Sequence, residues 1–436
     1  MQKRLLFLVS LMLTFSLTLM AQITTSSMAG KVTLDTANGE EVIGATVVAV
    51  HEPSGTRYTA VTNTSGRFSI NGMRTGGPYA VTISYIGFQP KTVKGITLQL
   101  AETYNLNVFL TEDATELAEV VVSGKASKFA AEKTGAATNI TSAQITNMPT
   151  VNRSITDFTR LSPYGGNGMS FAGADGRTAN FTVDGANFNN NFGLNSNLPG
   201  GGNPISIDAI EELQVVVSPF DVRQTNFIGG GVNAITKSGT NTFKGTAYIY
   251  HQNENMRGDA VYGEQISGAR DKDRTTTYGF TLGGPIIKDK LFFFANGEMV
   301  KTPSVVNRWR ASDDGVGDAD SYISRTTNKD LEAVSNYVAK NYGYDTGSWS
   351  SFPADKSNYK FLVRLDWNIT DRHHLALRYN YTKNRNWSSP NASSMDGGFL
   401  WMEVRVWLML VCQYHLCHML IQCTQWITSY IHLHLT

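Results

Sequence analysis

The sequence predicts a mainly β protein in three successive parts: an N-terminal Ig-like β-sandwich, a small α/β domain, and the first strands of an incomplete antiparallel transmembrane β-barrel. Three observations carry this expectation. Short apolar runs separated by turn signals recur between residues 28 and 113. The stretch FIGGGVNAITKSGTNTFKGTAYIY, Phe227 to Tyr250, passes from a glycine-rich segment into a strict period of two. Beyond it, strands of about ten residues alternate apolar and polar positions and carry aromatics near their ends.

The chain has 436 residues, enough for two or three domains. It holds 37 basic and 36 acidic residues, so a nucleic-acid partner is not expected. Its 40 glycines suit a turn-rich β protein. All 3 cysteines lie late, at Cys412, Cys417 and Cys423, which leaves the main body without a disulfide framework. Residues 1–21 read as an export signal: Lys3 and Arg4 supply the charge, Leu5 to Met20 the apolar stretch, and Leu19-Met20-Ala21 the cleavage site before Gln22. No cysteine follows to anchor a lipid.

From 28 to 113, strands are predicted over Lys31–Leu34, Ala45–His51, Thr56–Thr62, Arg67–Ile70, Tyr79–Tyr85 and Tyr104–Leu110. Turns at Asn38-Gly39, Ser65-Gly66 and Gly76-Gly77-Pro78 separate them, the spacing of a sandwich. His51 and Glu52 are the two potential metal ligands in this part, and at a strand end they read as surface residues. A linker over 114–128 contains Glu119, Val120, Val121, Val122, Ser123 and Gly124. Such a short β-prone run flanked by charge can add to the edge of a partner's sheet, or serve as an ordinary interdomain strand.

The next domain, 129–239, contains NFTVDGANFNNNFG and SIDAIEELQVVVSPFD. Asp208 and Glu211 have capping-box spacing and predict a short helix, followed by a buried strand over Leu213–Val217. Asp184 and Glu211 could be imagined as a glycosidase acid pair, but Asp184-Gly185 is a turn signal and no catalytic constellation surrounds it. The tract from Asn187 to Asn203 reads as a loop. Gly231 to Ser238 approaches a phosphate loop, yet Thr236 occupies the position of its second glycine and no helix pattern follows.

From 240 to 402 the alternation is regular. Phe361, Val363, Leu365, Trp367 and Ile369 oppose Arg364, Asp366 and Asn368; Leu375, Leu377, Tyr379 and Tyr381 oppose Arg378 and Asn380. A polar insertion between Thr302 and Lys356 holds a helix with Leu331, Val334 and Val338 on one face, ending at Gly343. Asp313, Asp314, Asp318 and Asp320 lack calcium-loop spacing. The tail, 403–436, departs from the pattern, because no Asp, Glu, Lys or Arg follows Arg405. Its Cys412, His415, Cys417, His418 and Cys423 are not spaced as a zinc site. A transmembrane helix from Val404 would be interrupted by Gln413, His415 and His418. The tail reads as an out-of-frame translation that begins near Phe399–Glu403.

GGGVNAITKSGTNTFKG resembles the plug–barrel junction of TonB-dependent outer-membrane receptors of the Oar-like branch. LGGPIIKDKLFFFANGE, Leu282 to Glu298, resembles a barrel hairpin of the same branch, with Lys288-Asp289-Lys290 as its periplasmic turn. GKV, GATVVAV, TNTSGRFSI and VTISYIGFQP resemble the carboxypeptidase regulatory-like domain, an accessory fold that implies no peptidase. The resemblance implies that 129–239 is the plug and 240–402 part of the barrel. It also implies that Glu119–Gly124 corresponds to the TonB box, gripped by a TonB-type energy-coupling protein to drive transport. The expected location is the outer membrane, in contact with its lipid, with a ligand that these residues do not specify and no enzyme activity, cofactor or metal. A SusC-like glycan importer is disfavoured by VVSGKASK after the box, and a surface adhesin would leave the box idle. About six strands fit into the roughly 160 residues after Thr240, against the 22 of the outer-membrane transporters that the resemblance implies. A C-terminally truncated chain that does not transport as written is therefore expected.

Overall fold

The computed structural model describes residues 24–35, 39–112, 120–123, 136–150, 153–189, 198, 203–219, 224, 227–256, 258, 260–265, 274–303, 310–318, 323–347, 355–371, 373–388, 400–414 and 418–422. The export signal, most of the linker and the tract 190–197 lie outside them.

The first domain contains β1 (Ser26–Leu34), β2 (Thr46–His51), β3 (Thr56–Val61), β4 (Arg67–Met73), β5 (Gly76–Ser84), β6 (Lys91–Leu98), β7 (Thr103–Asn105) and β8 (Val108–Leu110). One sheet runs β4-β1-β7, with β8 also on β1; the other runs β3-β2-β5-β6 and is continued by β9 (Val120–Ser123). Alternate residues point inward. Val47 and Ala49 of β2, Tyr79, Val81 and Ile83 of β5, and Met28 and Val32 of β1 meet in one core. Strand β6 was not predicted separately, for a physical reason. Lys94 and Gly95 both face solvent, Gly95 has φ +79°, and the bulge there breaks the period of two. The predicted run Tyr104–Leu110 is split where Leu106 turns into the core and Asn107 accepts a hydrogen bond from the Lys31 N–H at 2.9 Å.

His51 is a correction: it is buried, not a surface residue. Its Nδ1 lies 2.6 Å from Ser54 Oγ, and its ring packs 5.0 Å from that of Tyr79. Burial, with the Arg74 charge adding to it, pushes the imidazole down from 6.5 to about 3. The folded domain therefore refuses a proton that the unfolded chain accepts below pH 6.5. Its stability is full above that pH and falls as the medium is acidified, by about 2 kcal/mol at pH 5. Thermal unfolding at pH 7.5 and pH 5 measures this loss, and His51→Gln is expected to remove it.

The second domain contains β10 (Ala136–Thr141), α1 (Ser142–Asn147), α2 (Ile155–Thr159), β11 (Asn180–Val183), β12 (Ala186–Asn187), β13 (Ile210–Ser218) and β14 (Gly231–Thr236), in the sheet order β10-β13-β14-β11-β12. Both short helices start with capping boxes, Thr141 with Gln144 and Ser154 with Asp157. The helix predicted from Asp208 and Glu211 is reduced to one 3₁₀ turn, Ile207–Ala209. Ile210, Leu213 and Val215 are all buried in the strand, so burial of these residues in the sheet outweighs the local capping signal and Glu211 lies within β13. Among the three junction glycines, Gly229 alone has a positive φ, +96°. Gly230 serves close approach instead, since a Cβ there would sit 2.6 Å from the Phe171 ring.

The third part is built from β15 (Lys244–Gln252), the small hairpin β16 (Ala260–Val261) and β17 (Glu264–Gln265), then β18 (Thr275–Ile287) and β19 (Leu291–Thr302). The insertion follows, with β20 (Arg310–Ser312), β21 (Ile323–Thr327) and α3 (Asn328–Tyr342), the last capped by Thr327 and by Gly343 at φ +63°. Then come β22 (Lys356–Thr370), β23 (His373–Ser388), β24 (Leu400–Tyr414) and β25 (His418–Gln422). Strands β15, β18, β19, β22, β23, β24 and β25 form one antiparallel sheet in that order, and it is not closed. Tail residues 403–414 and 418–422 thus extend the ladder as strand. Lys288-Asp289-Lys290 is the tight turn between β18 and β19, with Asp289 at φ +62°. No described helix is long and apolar enough to cross a membrane, which leaves strands untouched as a way across.

The sense of the alternation is what distinguishes this sheet from a soluble sandwich. Phe361 and Trp367 are 40% and 45% exposed on one face, whereas Arg364 and Asp366 are 6% and 9% exposed on the other. The apolar side chains point away from the protein and the charged ones point into it. That is the polarity of a membrane barrel wall, and the reverse of a sheet that packs on a soluble core.

Candidate functional site

The inner face of the wall meets the second domain through two polar clusters. In the first, Glu298 of β19 receives hydrogen bonds from Lys360 Nζ at 2.7 Å, Ser206 Oγ at 2.8 Å and Tyr248 Oη at 2.8 Å. Period two places these side chains inward from β19, β22 and β15, while Ser206 comes from the turn before β13. Nearby, Arg153 pairs with Asp208, and its guanidinium lies 4.1 Å over the Tyr250 ring.

The second cluster centres on Asp184, at the hairpin between β11 and β12, where it is 2% exposed and has φ +48°. Its carboxylate accepts from the Thr236 N–H at 3.0 Å and from the Thr236 hydroxyl. Arg378 Nε stands 3.4 Å away and Arg364 Nη1 3.9 Å away, both from the wall. Arg364 in turn donates to Thr236 O at 2.6 Å and grips Asp366 through Nε and Nη2 at 2.8 and 2.9 Å. Each buried guanidinium here has an opposite charge close by, Asp184 beside Arg378 and Asp366 beside Arg364. Asp184, imagined as half of an acid pair, is therefore committed to positioning. Phe294 and Leu362 of the wall extend the hydrophobic core of the second domain, so the contact is apolar as well as charged.

The sandwich is tied to both neighbours. Leu100 N–H donates to both oxygens of Glu212 at 3.0 and 3.1 Å, and Gln214 Nε2 donates to Leu100 O at 2.7 Å. Toward the wall, Arg74 approaches Asp366 at 3.5 Å, Asn368 Nδ2 donates to Thr56 Oγ1 at 2.9 Å, and Asn241 N–H donates to Pro53 O at 2.8 Å. Close fit recurs at the junction itself, because a Cβ on Gly239 would lie 2.4 Å from Phe293 O.

Of the six candidate coupling residues, Val120, Val121, Val122 and Ser123 form β9, parallel to β6. Glu119 and Gly124 lie outside the described residues. Among the described residues no group of three or more His, Cys, Asp or Glu could hold a metal ion. Asp313 instead accepts from Asn328 Nδ2 at 2.7 Å, and Asp314 accepts from the Val316 N–H at 2.9 Å. The polar clusters were not assigned from sequence. The polar face at Arg364, Asp366 and Asn368 was visible there, but Asp184 and Thr236, which meet Arg364, are more than a hundred residues away in the chain.

A plug-like α/β domain seated against a wall that is polar inside and apolar outside is the arrangement of a plug-and-barrel protein of the outer membrane. The family profile of the Carboxypeptidase regulatory-like domain matches residues 27–111, and that of the Outer membrane beta barrel domain matches 235–310. The TonB-dependent transporter Oar of Myxococcus xanthus is 25% identical over 345 residues, covering 74% of this chain. The chain spans 30% of the length of that relative. Among solved structures, the siderophore receptor PirA from Pseudomonas aeruginosa superposes with a TM-score of 0.38 at 16% identity, over 66% of this chain and 41% of its own. The outer membrane transporter YddB from Escherichia coli gives a TM-score of 0.42 at 14% identity, over 64% of this chain and 37% of its own. The two domain matches and the Oar relative support an Oar-like TonB-dependent receptor of the outer membrane.

Proposed function

We propose that this chain is part of a TonB-dependent transporter. In this reading Glu119–Gly124 is gripped by a TonB-type energy-coupling protein, and a pull on it moves the plug against the wall. The observation that carries the reading is the inside-out wall, whose buried charged face is matched to a plug downstream of a β-prone segment. The polar clusters suit such a plug, because hydrogen bonds and ion pairs across an interface can be exchanged for water as the plug moves. Asp184 is engaged by Thr236, Arg378 and Arg364, which fits a place in the contact between plug and wall. Binding of the purified chain to the periplasmic domain of a TonB-type protein tests the proposal. Saturable binding is expected, and its absence would contradict it.

A further inference from the structure

β6 carries β9 on its outer edge in a parallel register: Lys91 opposite Val120, Thr92 opposite Val121, Val93 opposite Val122, and Lys94 opposite Ser123. The described pairs run up to Lys94, next to Gly95 with its φ of +79°. Parallel pairing is slightly less stable per residue than antiparallel pairing, and a strand edge is open to exchange with another strand. The same β6 leads, two residues past its end, to Leu100, whose N–H and C=O clasp Glu212 and Gln214 of the plug. The domain that bears β6 is also bound to the wall through Arg74, Thr56 and Pro53.

We infer that the Lys91–Lys94 edge of the sandwich is a strand-binding site whose occupant is the chain's own Val120–Ser123 segment, and that the coupling partner must take the segment from it. The inference rests on the reading of that segment as the coupling strand. While β9 is paired to β6, a pull on it loads a domain already fixed to the wall. Only a segment lifted off β6 passes the pull along the chain to β10. Pairing with β6 and engagement by the partner are thus alternative states of one strand.

The test uses the full chain with Cys412, Cys417 and Cys423 changed to Ser, and Lys94→Cys with Ser123→Cys as a pair that should close a disulfide across the ladder. Mild oxidation is expected to join the pair in the chain alone. The periplasmic domain of a TonB-type protein, added first, should suppress the cross-link, and the oxidised chain should bind that domain at least about tenfold more weakly than the reduced one. Failure of the cross-link to form overturns the inference and leaves the proposed function standing. Equal binding by both forms also overturns it, since the partner would then extend the sheet rather than empty the edge. A reduced chain that cross-links readily but never binds the domain overturns both readings.

Discussion

Asp184→Ala is expected to loosen the plug from the wall by about 3–5 kcal/mol, the cost of leaving a buried charge without its partner. The substitution strips Arg378 and Arg364 of the carboxylate at 3.4 and 3.9 Å, and also removes the acceptor of the Thr236 N–H. Arg364 retains Asp366, so the greater loss falls on Arg378. Hydrogen exchange reads the effect locally. Amides of Asn180–Val183 and Gly231–Thr236 should exchange faster by roughly two to three and a half orders of magnitude, while those of β2 and β5 in the sandwich stay unchanged. Asp184→Asn keeps an acceptor but not the charge and should fall between the two. Uniform protection in all three proteins would show that the cluster does not hold the plug.

The second large effect is expected from Val121→Pro. Proline removes a backbone N–H from within β9, a donor that a ladder with another strand's edge can require. Losing one backbone hydrogen bond and leaving its acceptor unmatched costs about 2–3 kcal/mol, about 30- to 160-fold in Kd for a TonB-type periplasmic domain. The plug and wall should fold as before, since β9 contributes to neither sheet. Titration of that domain against wild type and variant checks this, and unchanged affinity would return the segment to a plain interdomain strand.

Much of this arrangement could be read in the sequence, and the gaps have identifiable causes. The alternation in Phe361–Ile369 revealed two faces, but a period of two is common to sandwiches and barrels. Only the partners across the sheet show that Arg364 points inward. Strand β6 was lost at the Lys94–Gly95 bulge, where one irregular pair interrupts the pattern. Asp184 was correctly read as a turn residue, yet the guanidinium groups that make it important come from strands almost two hundred residues later. His51 looked like a polar strand end. Its burial depends on Ser54 and Tyr79, which only the folded domain brings to it. Capping spacing at Asp208 lost to the sheet, because local propensity is weaker than burial of Leu213 and Val215.

The central claim is that β22 and its neighbours form a wall with lipid on one side and plug on the other. Spin labels placed one at a time from Tyr359 to Ile369 in the membrane-inserted protein test it most directly, through collision with oxygen, which concentrates in lipid, and with a water-soluble nickel complex. A period of two is expected: high oxygen accessibility at Phe361, Val363, Leu365, Trp367 and Ile369, and little access to either reagent at Leu362, Arg364 and Asp366. Nickel access at Phe361 and Trp367, or no alternation along the strand, would contradict the wall.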